Sequence, residues 1–412
     1  MDNRARTAYL ASMDTDALIV GGGLNGPLAA LALARAGMRC TLLDAGARPE
    51  RGAFDGRAYA LALSSVRMLR ALGVWERLED PEPIRAIRAS DGRAGEGASP
   101  LHLRFDAEAI GEPSMGHMAE DRHLRHALLA ACDAEGGVTM RFGARVVAQA
   151  PEPAGIAVTL EGGESLRASL LVGCDGRASG VALRAGLRRT RKDYRQTALT
   201  CAVAHERPHG GVAHQLFLPA GPLAILPLAG DRSSLVWTET REEAERIHAL
   251  GDDAYLEELR PRFGSFLGNI RIVGRRGTYP LARDYAADLV AERVALAGDA
   301  AHGIHPIAGQ GLNLGFKDVA ALGDVVAAAR RRGEDIGSAP VLRRYARWRR
   351  FDAAQMGVAT DAVNALFSND DPVLRGLRRL GLGAVDAAAP LKRHFIREAA
   401  GLAGDLPALM RE

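Results

Sequence analysis

Two short apolar runs near the N terminus enclose a stretch with helical spacing. Residues 16–20 read DALIV, residues 27–35 repeat Ala and Leu at helical intervals, and a second apolar run covers residues 39–43. A continuous apolar run of four or five residues is typical of a buried parallel strand, whereas apolar repeats every three to four residues indicate a helix. The pattern therefore predicts a strand, a turn, a helix and a second strand that stops at Asp44.

The next part of the chain alternates helices with short strands. Residues 55–75 open with Arg57 in a glycine-flanked turn and continue as an amphipathic helix, and residues 120–132 form another helical pattern. Gly, Pro and Ser turns between residues 83 and 116 indicate short strands. Further strands are predicted over residues 138–142, 144–150, 156–160 and 166–173.

Longer β runs dominate residues 187–273, where a helix over residues 242–250 and another beginning near Asp253 interrupt them. This pattern is typical of a separate antiparallel sheet that could cover a substrate pocket. An apolar run at residues 294–297 then leads through a glycine-rich loop into a helix over residues 313–332. Beyond residue 333 the chain is predicted to be helical and rich in arginine.

These elements predict an α/β chain, α+β overall. A Rossmann-like nucleotide domain would carry an inserted, mainly antiparallel β-sheet domain and a C-terminal helical region. We place the nucleotide domain in residues 14–82, 114–186 and 274–335, the substrate domain in residues 83–113 and 187–273, and the helical region in residues 336–412.

Composition narrows the class of protein. The chain has 53 Lys and Arg against 50 Asp and Glu, which gives no whole-protein argument for a nucleic-acid partner. The four cysteines lie far apart without a CxxC pair, which argues against a zinc or disulfide framework and suits a reducing compartment. No secretory signal and no apolar run of about 18 residues is present, so a cytoplasmic protein is expected.

A glycine motif directly follows the first predicted strand. Gly21, Gly23 and Gly26 have the spacing GxGxxG, and Asp44 ends the second strand 23 residues after Gly21. The first glycine permits the tight turn, the second admits a pyrophosphate, the third allows close packing of helix and strand, and the acid can bind a ribose hydroxyl. The complete strand, turn, helix and acid indicate a dinucleotide site.

A second candidate site is the sequence GDAAHGIHPIAGQGLNLG at residues 298–315. Its glycines would let a ligand approach the backbone, and the following helix N terminus would offer unpaired N–H groups. Asp299, His302 and His305 could instead form a metal set of two imidazoles and a carboxylate. Spacings of three along a Gly/Pro loop do not fix a common face, so we predict no metal.

Two further positions have both a functional and a structural interpretation. Arg57 could neutralise a phosphate, or it could be an ordinary solvated surface arginine. Asp175 and Gly176 end a predicted strand beside the dinucleotide candidate, although an Asp-Gly pair alone is most often a turn.

Taken together, these motifs resemble the flavin-dependent aromatic hydroxylases of ubiquinone biosynthesis, which are related to para-hydroxybenzoate hydroxylase. The resemblance rests on GGGLNG, DGRAYAL with LGVW, GPLAILPL with LVW, HPIAGQGLNLG, TDAVNALFS and LRGLRRLGL, and it covers nearly the whole chain. One departure concerns the DG turn, which the family continues as DGxxSxxR. Here Ala182 stands at the arginine position, and the nearest arginine is Arg184.

The resemblance implies FAD as the cofactor, with backbone or side-chain contacts from a defined set of residues. Gly21, Gly23, Gly26 and Arg57 would surround the pyrophosphate, Asp44 would bind the adenosine ribose, and Asp175 would lie in the DG turn. Asp299, after Gly298, would bind the ribityl chain, and Pro306 would lie against the isoalloxazine ring. The loop around Gly309 and the N–H groups of Gly311, Leu312 and Asn313 would face the pyrimidine end of the ring.

The implied reaction is hydroxylation of the aromatic ring of a polyprenylated phenol in ubiquinone biosynthesis. NADH or NADPH would reduce FAD, and O2 would form a C4a-hydroperoxyflavin that transfers one oxygen atom. This chemistry needs no acid–base pair from the protein, so His302 and His305 are only weak catalytic candidates. The alternatives are a flavin monooxygenase acting on another small phenol, or a non-catalytic flavin-bearing scaffold in a quinone-biosynthesis assembly.

A lipid-soluble substrate implies contact with a membrane or with a biosynthetic complex. The arginine-rich tail, with Arg375, Arg378 and Arg379 near Leu377 and Leu380, could associate peripherally with the inner face of a membrane. The same helices could instead form a lid with solvated arginines. The oligomeric state, the ring carbon that is hydroxylated and the choice between NADH and NADPH stay open.

Overall fold

The computed structural model describes residues 13–96, 102–303, 309–368 and 371–411. The strands are β1 (Ala17–Val20), β2 (Cys40–Asp44), β3 (Ala58–Ala62), β4 (Glu82–Pro83), β5 (Ala86–Asp91), β6 (Leu103–Asp106), β7 (Gly116–Glu120), β8 (Val138–Phe142), β9 (Val146–Glu152), β10 (Gly155–Leu160), β11 (Ser165–Ala168), β12 (Leu170–Gly173), β13 (Arg189–His205), β14 (Val212–Leu218), β15 (Gly221–Leu228), β16 (Arg232–Thr240), β17 (Ile270–Ala286), β18 (Val290–Ala291), β19 (Val294–Leu296) and β20 (His302–Gly303).

The helices are α1 (Asn25–Arg35), α2 (Leu63–Ala71), α3 (Asp121–Ala134), α4 (Gly180–Arg184), α5 (Arg241–His248), α6 (Asp252–Phe263), α7 (Gln310–Arg331), α8 (Ala339–Phe367), α9 (Pro372–Ala387) and α10 (Ala389–Ala399). Single turns of 3-10 helix add Trp75–Arg77, Ala107–Ile110, Gly298–Ala300 and Ala408–Met410.

A six-stranded sheet in the order β18-β19-β12-β1-β2-β8 forms the centre of the nucleotide-binding part. The five strands from β19 to β8 in this order pair in parallel, whereas the edge strand β18 pairs antiparallel with β19. Leu18, Ile19 and Val172 in the central strands are fully buried, because α1 and α7 belong to the same hydrophobic core. This parallel sheet with covering helices confirms the predicted α/β architecture.

A second, eight-stranded sheet has the order β20-β17-β13-β16-β15-β14-β5-β6. All its neighbours pair antiparallel except β14 and β5. One face packs on α5 and α6 through residues such as Trp237, Tyr255 and Leu259, which are at most 1% exposed. The inserted antiparallel sheet and the C-terminal helices are therefore present as predicted. The residue boundaries of the domains stay a proposal, and β17 runs continuously through residue 274.

Two local predictions are wrong. The apolar run at residues 166–173 is two strands, β11 and β12, because the chain leaves a three-stranded antiparallel sheet at Ser169 and enters the parallel sheet. In residues 55–75 a strand, β3, precedes the helix. This strand pairs with β7, more than 50 residues further along the chain, a partner that a local pattern cannot reveal.

The C-terminal helices differ from a simple basic surface. Arg349 of α8 is fully buried, and Arg378 of α9 is 5% exposed. Large apolar side chains face solvent on the same helices instead, namely Phe351, Val358, Leu366, Leu377, Leu380, Leu391 and Phe395. Within the described residues, no helix is long and apolar enough to cross a membrane.

Candidate functional site

The three glycines of the GxGxxG turn meet three different surroundings. Gly21 has φ +112°, and a Cβ there would lie 2.4 Å from the carbonyl oxygen of Cys174. A Cβ on Gly26 would lie 1.8 Å from the carbonyl oxygen of Gly21. A Cβ on Gly23 would meet no heavy atom within 4 Å. Backbone packing therefore requires Gly21 and Gly26, whereas Gly23 borders open space where a ligand can approach.

Asp44 ends β2 directly beside this turn. Its Oδ2 accepts a hydrogen bond from the backbone N–H of Gly22 (2.5 Å), and its Oδ1 accepts one from Gly46 (2.7 Å). The carboxylate borders a cleft of about 530 Å³. The cleft is lined by Val20, Gly21, Gly23, Leu43, Asp44, Ala45, Ala144, Arg145, Val146, Cys174, Asp175, Gly176, Ala178, Gly180 and Arg184.

Asp175 forms a wall of this cleft, and its carboxylate organises the turn. It accepts hydrogen bonds from the hydroxyl of Ser179 and from the backbone N–H of Val181 (3.0 Å), at the start of α4. Ala182, where the family pattern has an arginine, is fully buried in α4. Arg184 instead lines the cleft, and its Nε donates to Oε1 of Gln149 (3.3 Å).

Arg57 is exposed and belongs to a small charge cluster beside the glycine turn. Its guanidinium contacts Asp55 (2.8 Å) and the nearly buried Asp121 (3.2 Å). Arg125 pairs with the other oxygen of Asp121 (3.2 Å) and donates to the carbonyl of Gly22 (3.4 Å). The sequence did not reveal Arg125, because only the packing of α3 against α1 brings it to this turn.

The loop after β19 places Asp299 in a single 3-10 turn. Its carboxylate lies 3.3 Å from Nε of Arg177, whose guanidinium stands over the ring of Tyr279 at 4.6 Å. Arg189 of β13 donates to the backbone carbonyls of Asp299 (3.1 Å) and Ala300. The backbone of this loop is thus fixed, while Asp299 keeps 43% of its side chain exposed.

His302 is buried at the end of this loop and does not face open space. Its Nε2 lies 2.7 Å from Oδ2 of Asp318, which is fully buried on α7. His305 and Pro306 lie outside the described residues. Among the residues that the structure does describe, no group of three or more His, Cys, Asp or Glu side chains could hold a metal ion.

Helix α7 begins after Gly309, which has φ +65°. Gly311 and Leu312 lie in its first turn and are half-buried. The side chain of Asn313 points into the interior, where its Oδ1 accepts from the N–H of Ala62 (2.9 Å) and the hydroxyl of Ser65 (2.8 Å). Asn313 thus joins the start of α7 to β3 and α2, a side-chain role that its sequence motif did not indicate.

The loops that carry these motifs meet at one edge of the parallel sheet. Val20 pairs with Gly173, and Gly173 pairs with Leu296, so the three loops leave adjacent strands in the same direction. Loops at the carboxyl ends of parallel strands form the usual ligand crevice of such sheets. A Cβ on Gly298 would lie 2.3 Å from Nδ2 of Asn25, which shows how closely the third loop packs on the first turn of α1.

The face of the eight-stranded sheet that lies opposite α5 and α6 carries an uncharged row of side chains. Thr200, Val236, Ala224 and Gln215 are paired in sequence across β13, β16, β15 and β14, and all four are half-buried. The adjacent row, Leu199, Trp237, Leu223 and Leu216, belongs to the core beneath α5 and α6. Because side chains alternate between the two faces of a sheet, the half-buried row faces the side opposite that core.

Fold and site together define a class of dinucleotide-dependent enzymes in which a second, mainly antiparallel sheet accompanies the nucleotide-binding sheet. The chain matches the family described as FAD binding domain over residues 14–357. It is 44% identical over 403 residues to ubiquinone hydroxylase UbiL of Rhodospirillum rubrum, covering 96% of this chain and 92% of that protein. It is 36% identical over 401 residues to 3-demethoxyubiquinol 3-hydroxylase of Escherichia coli, covering 95% of this chain and 100% of that protein.

A solved structure supports the same fold. p-Nitrophenol 4-monooxygenase PnpA from Pseudomonas putida superposes with a TM-score of 0.78 at 20% identity, covering 94% of this chain and 98% of that chain. The family match and the two sequence relatives show that the protein is an FAD-dependent monooxygenase by class. It belongs to the FAD-binding family in which the ubiquinone hydroxylases lie, as the resemblance predicted.

The residues present fit FAD. Gly23 leaves room at the turn, Asp44 lies beside the cleft, and the half-exposed Asp299 lies at the same sheet edge. An extended dinucleotide that crosses the edge of a Rossmann-like sheet would contact all three.

Proposed function

We propose that this protein hydroxylates the aromatic ring of a polyprenylated quinone precursor, with NADH or NADPH as reductant and O2 as co-substrate. The observation that carries this proposal is the 44% identity to a ubiquinone hydroxylase across 96% of the chain. The uncharged row from Thr200 to Gln215 supports it, because an apolar phenol needs a pocket wall without charged groups.

The cofactor contacts are proposals for individual residues. Gly21, Gly23 and Gly26 would surround the pyrophosphate, Asp44 would bind the adenosine ribose, and Asp299 the ribityl chain. Arg57 and Arg125 would supply positive charge near the phosphates, since both lie at the Asp121 cluster beside the glycine turn. The first turn of α7 at Gly311 and Leu312 would offer N–H groups to the flavin ring.

Bound FAD would accept the electrons of NAD(P)H and would activate O2. The protein would orient the phenol ring, exclude water and stabilise negative charge through the N terminus of α7. His302 is a weak candidate for proton transfer, since Asp318 already engages its Nε2 inside the protein. Arg177 and Tyr279, which stand together beside Asp299, would form part of the docking surface for the reductant.

Contact with a lipid surface would use apolar side chains. Arg375, Arg378 and Arg379, which the sequence suggested for anionic lipid, all pair with Asp91. Leu377 and Leu380 of α9 are 60% and 64% exposed and lie three residues apart on one helical face. At the end of α8, Phe367 stacks on Phe217 of the eight-stranded sheet at 4.0 Å. We therefore propose that α8 to α10 approach the bilayer beside the substrate pocket.

Product analysis tests the reaction. Purified protein supplied with FAD, NAD(P)H and a short-chain prenylphenol should consume O2 in proportion to hydroxylated product. Oxygen uptake that yields only hydrogen peroxide, or flavin binding without substrate-dependent uptake, would favour the flavin-bearing scaffold. Hydroxylation of small phenols with no preference for a prenylated ring would favour a different phenolic substrate.

A further inference from the structure

One carboxylate on α7 fixes both ends of the loop that carries Asp299. Asp318 is fully buried, and its Oδ2 accepts from the backbone N–H of Gly298 (3.1 Å) and lies 2.7 Å from Nε2 of His302. Gly298 begins the 3-10 turn and His302 begins β20. A single side chain thus sets the separation of the two loop ends.

The other oxygen of this carboxylate is engaged from the C-terminal region. Nε of Arg349, on α8, donates to Oδ1 of Asp318 at 2.7 Å, and the side chains of both residues are 0% exposed. Nη1 of Arg349 donates to Asp352 (2.6 Å), which also pairs with Lys317 (2.6 Å) of α7. The guanidinium is therefore held in one orientation by two acids.

A second contact from α8 reaches the strand before the loop. The hydroxyl of Tyr345, one turn before Arg349, donates to the backbone carbonyl of Leu296 at 2.6 Å. Leu296 ends β19, immediately before the loop. Helix α8 thus contacts the strand before the loop directly through Tyr345, and it reaches the two loop ends indirectly, because Arg349 pairs with the carboxylate of Asp318 on α7.

The buried contacts of Asp318 with His302 and Arg349 involve charge as well as packing. Burial alone would raise the pKa of Asp318, but His302 and Arg349 outweigh burial, so the pKa is lowered and the carboxylate is ionised. Nη2 of Arg349 is buried without a hydrogen-bond partner among the described residues. An apolar pair of similar size would avoid that unsatisfied donor, so the stability of the fold alone does not account for this buried ion pair. In some proteins a buried ion pair is retained because it specifies one geometry.

We infer that Arg349 is a positioning residue for the cofactor: acting through Asp318, it holds the Gly298–His302 loop in the conformation that presents Asp299 to FAD. The inference rests on the proposed role of Asp299 in cofactor binding. It assigns to the C-terminal helical region a function at the flavin site that neither the glycine motifs nor the loop sequence indicates. Substrate and O2 have no part in it.

The test separates positioning from stability by removing the charge of Arg349 alone and then the charges of Arg349 and Asp318 together. Arg349→Met removes the guanidinium that pairs with Asp318, whereas the double variant Asp318→Asn, Arg349→Met removes both members of this pair from the interior. Arg350→Gln is the matched control, because Arg350 is the next residue on α8 but is 64% exposed and pairs with Asp288 on the surface. For each full-length protein one would measure the thermal midpoint of the apoprotein, the Kd for FAD and the two-electron reduction potential.

We expect Arg349→Met to lower the thermal midpoint and to raise the Kd for FAD at least about tenfold. The double variant should regain most of the thermal midpoint but keep the raised Kd. A tenfold difference in binding of oxidised and reduced flavin would appear as a shift of about 30 mV in the potential. Arg350→Gln should match the wild type in all three measurements.

Two outcomes would overturn the inference. One is a double variant that recovers both the thermal midpoint and the Kd for FAD. The other is an Arg349→Met protein that is less stable but binds FAD as the wild type does. Wild-type protein that binds FAD and hydroxylates no quinone precursor would refute the proposed function alone, because none of the three measurements uses the substrate.

Discussion

The carboxylate of Asp91 and the guanidinium of Arg378 form a buried ion pair at 3.1 Å, with both side chains 2% exposed. Arg375 and Arg379 also reach Asp91, each at 3.2 Å, so one acid at the end of β5 gathers three arginines of α9. The most basic segment of the tail thus faces the protein, and its leucines face outward. This orientation reverses the surface that the sequence suggested.

Asp91→Asn should destabilise the attachment of α9. The substitution keeps the size of the side chain but removes the negative charge that pairs with the buried Arg378 at 3.1 Å, and breaking a buried ion pair typically costs about 3–5 kcal/mol. Urea unfolding should show this loss, and limited proteolysis should cut α9 faster. Glu96→Gln is the control, since Glu96 contacts Arg375 and Arg379 of this cluster from a site that is 45% exposed and should change stability far less than Asp91→Asn does. Equal effects of the two substitutions would contradict this account.

Binding to lipid vesicles should depend on apolar area and not on charge. Each leucine buried in a membrane interface contributes about 1.5–3 kcal/mol, so Leu377→Glu with Leu380→Glu should reduce partitioning well over tenfold. Flotation with neutral phosphatidylcholine vesicles at low and high salt measures this directly. Leu183→Glu, at a leucine that is 78% exposed on α4, serves as the control. Binding that requires anionic lipid and disappears in salt would refute the proposed contact.

The parts that the sequence predicts well are those in which a motif and its structural neighbour are close along the chain. The β1, turn, α1 and β2 unit is such a case, because the glycines, the apolar runs and Asp44 all lie within about 30 residues. The turn at Gly298 is predicted for the same reason, because the apolar run of β19 directly precedes it, whereas the short strand β20 at His302–Gly303 is not predicted.

The missed features depend on partners far away in the sequence. Arg125 reaches Gly22 across 103 residues, and Asn313 reaches Ala62 across 251. The inward orientation of Arg378 depends on an acid in β5, and no periodicity within α9 reveals it. A pattern of residue types gives the face that an arginine occupies on its helix, but only tertiary packing decides whether that face meets water or a carboxylate.

Gly23→Ala and Gly26→Ala should fail in different ways. A Cβ at position 23 meets no protein atom within 4 Å, so the apoprotein should keep its thermal midpoint while the Kd for FAD rises more than about tenfold. A Cβ at position 26 would lie 1.8 Å from the carbonyl oxygen of Gly21, which should destabilise the apoprotein itself by about 1–3 kcal/mol or more. Thermal unfolding without FAD and fluorescence titration with FAD distinguish the two. A Gly23→Ala protein that binds FAD as tightly as the wild type would show that the space beside residue 23 is not a ligand site.

Stability should fall in mildly acidic solution, partly because of His214 on β14. Burial, together with the nearby Arg88 and His102, lowers the pKa of His214 to about 4. An unfolded histidine has a pKa of about 6.5, so between pH 6.5 and 4 the unfolded chain binds a proton that the folded protein does not. The free energy of unfolding therefore keeps its full value above pH 6.5. It falls as the pH drops towards 4, by up to about 3 kcal/mol on account of this residue.

His214→Phe should flatten this dependence, because phenylalanine can keep the ring contact with Phe266, now at 4.5 Å between centroids, without titrating. Urea midpoints measured from pH 4 to pH 8 should fall less steeply for the variant than for the wild type. The control is His394→Gln, at a histidine whose side chain is 63% exposed and which should leave the profile unchanged. His117, whose pKa burial also lowers to about 4, keeps its own contribution in both proteins, so the variant should retain a reduced slope and not a flat profile. Parallel profiles for the wild type and His214→Phe would show that protonation of His214 does not limit acid stability.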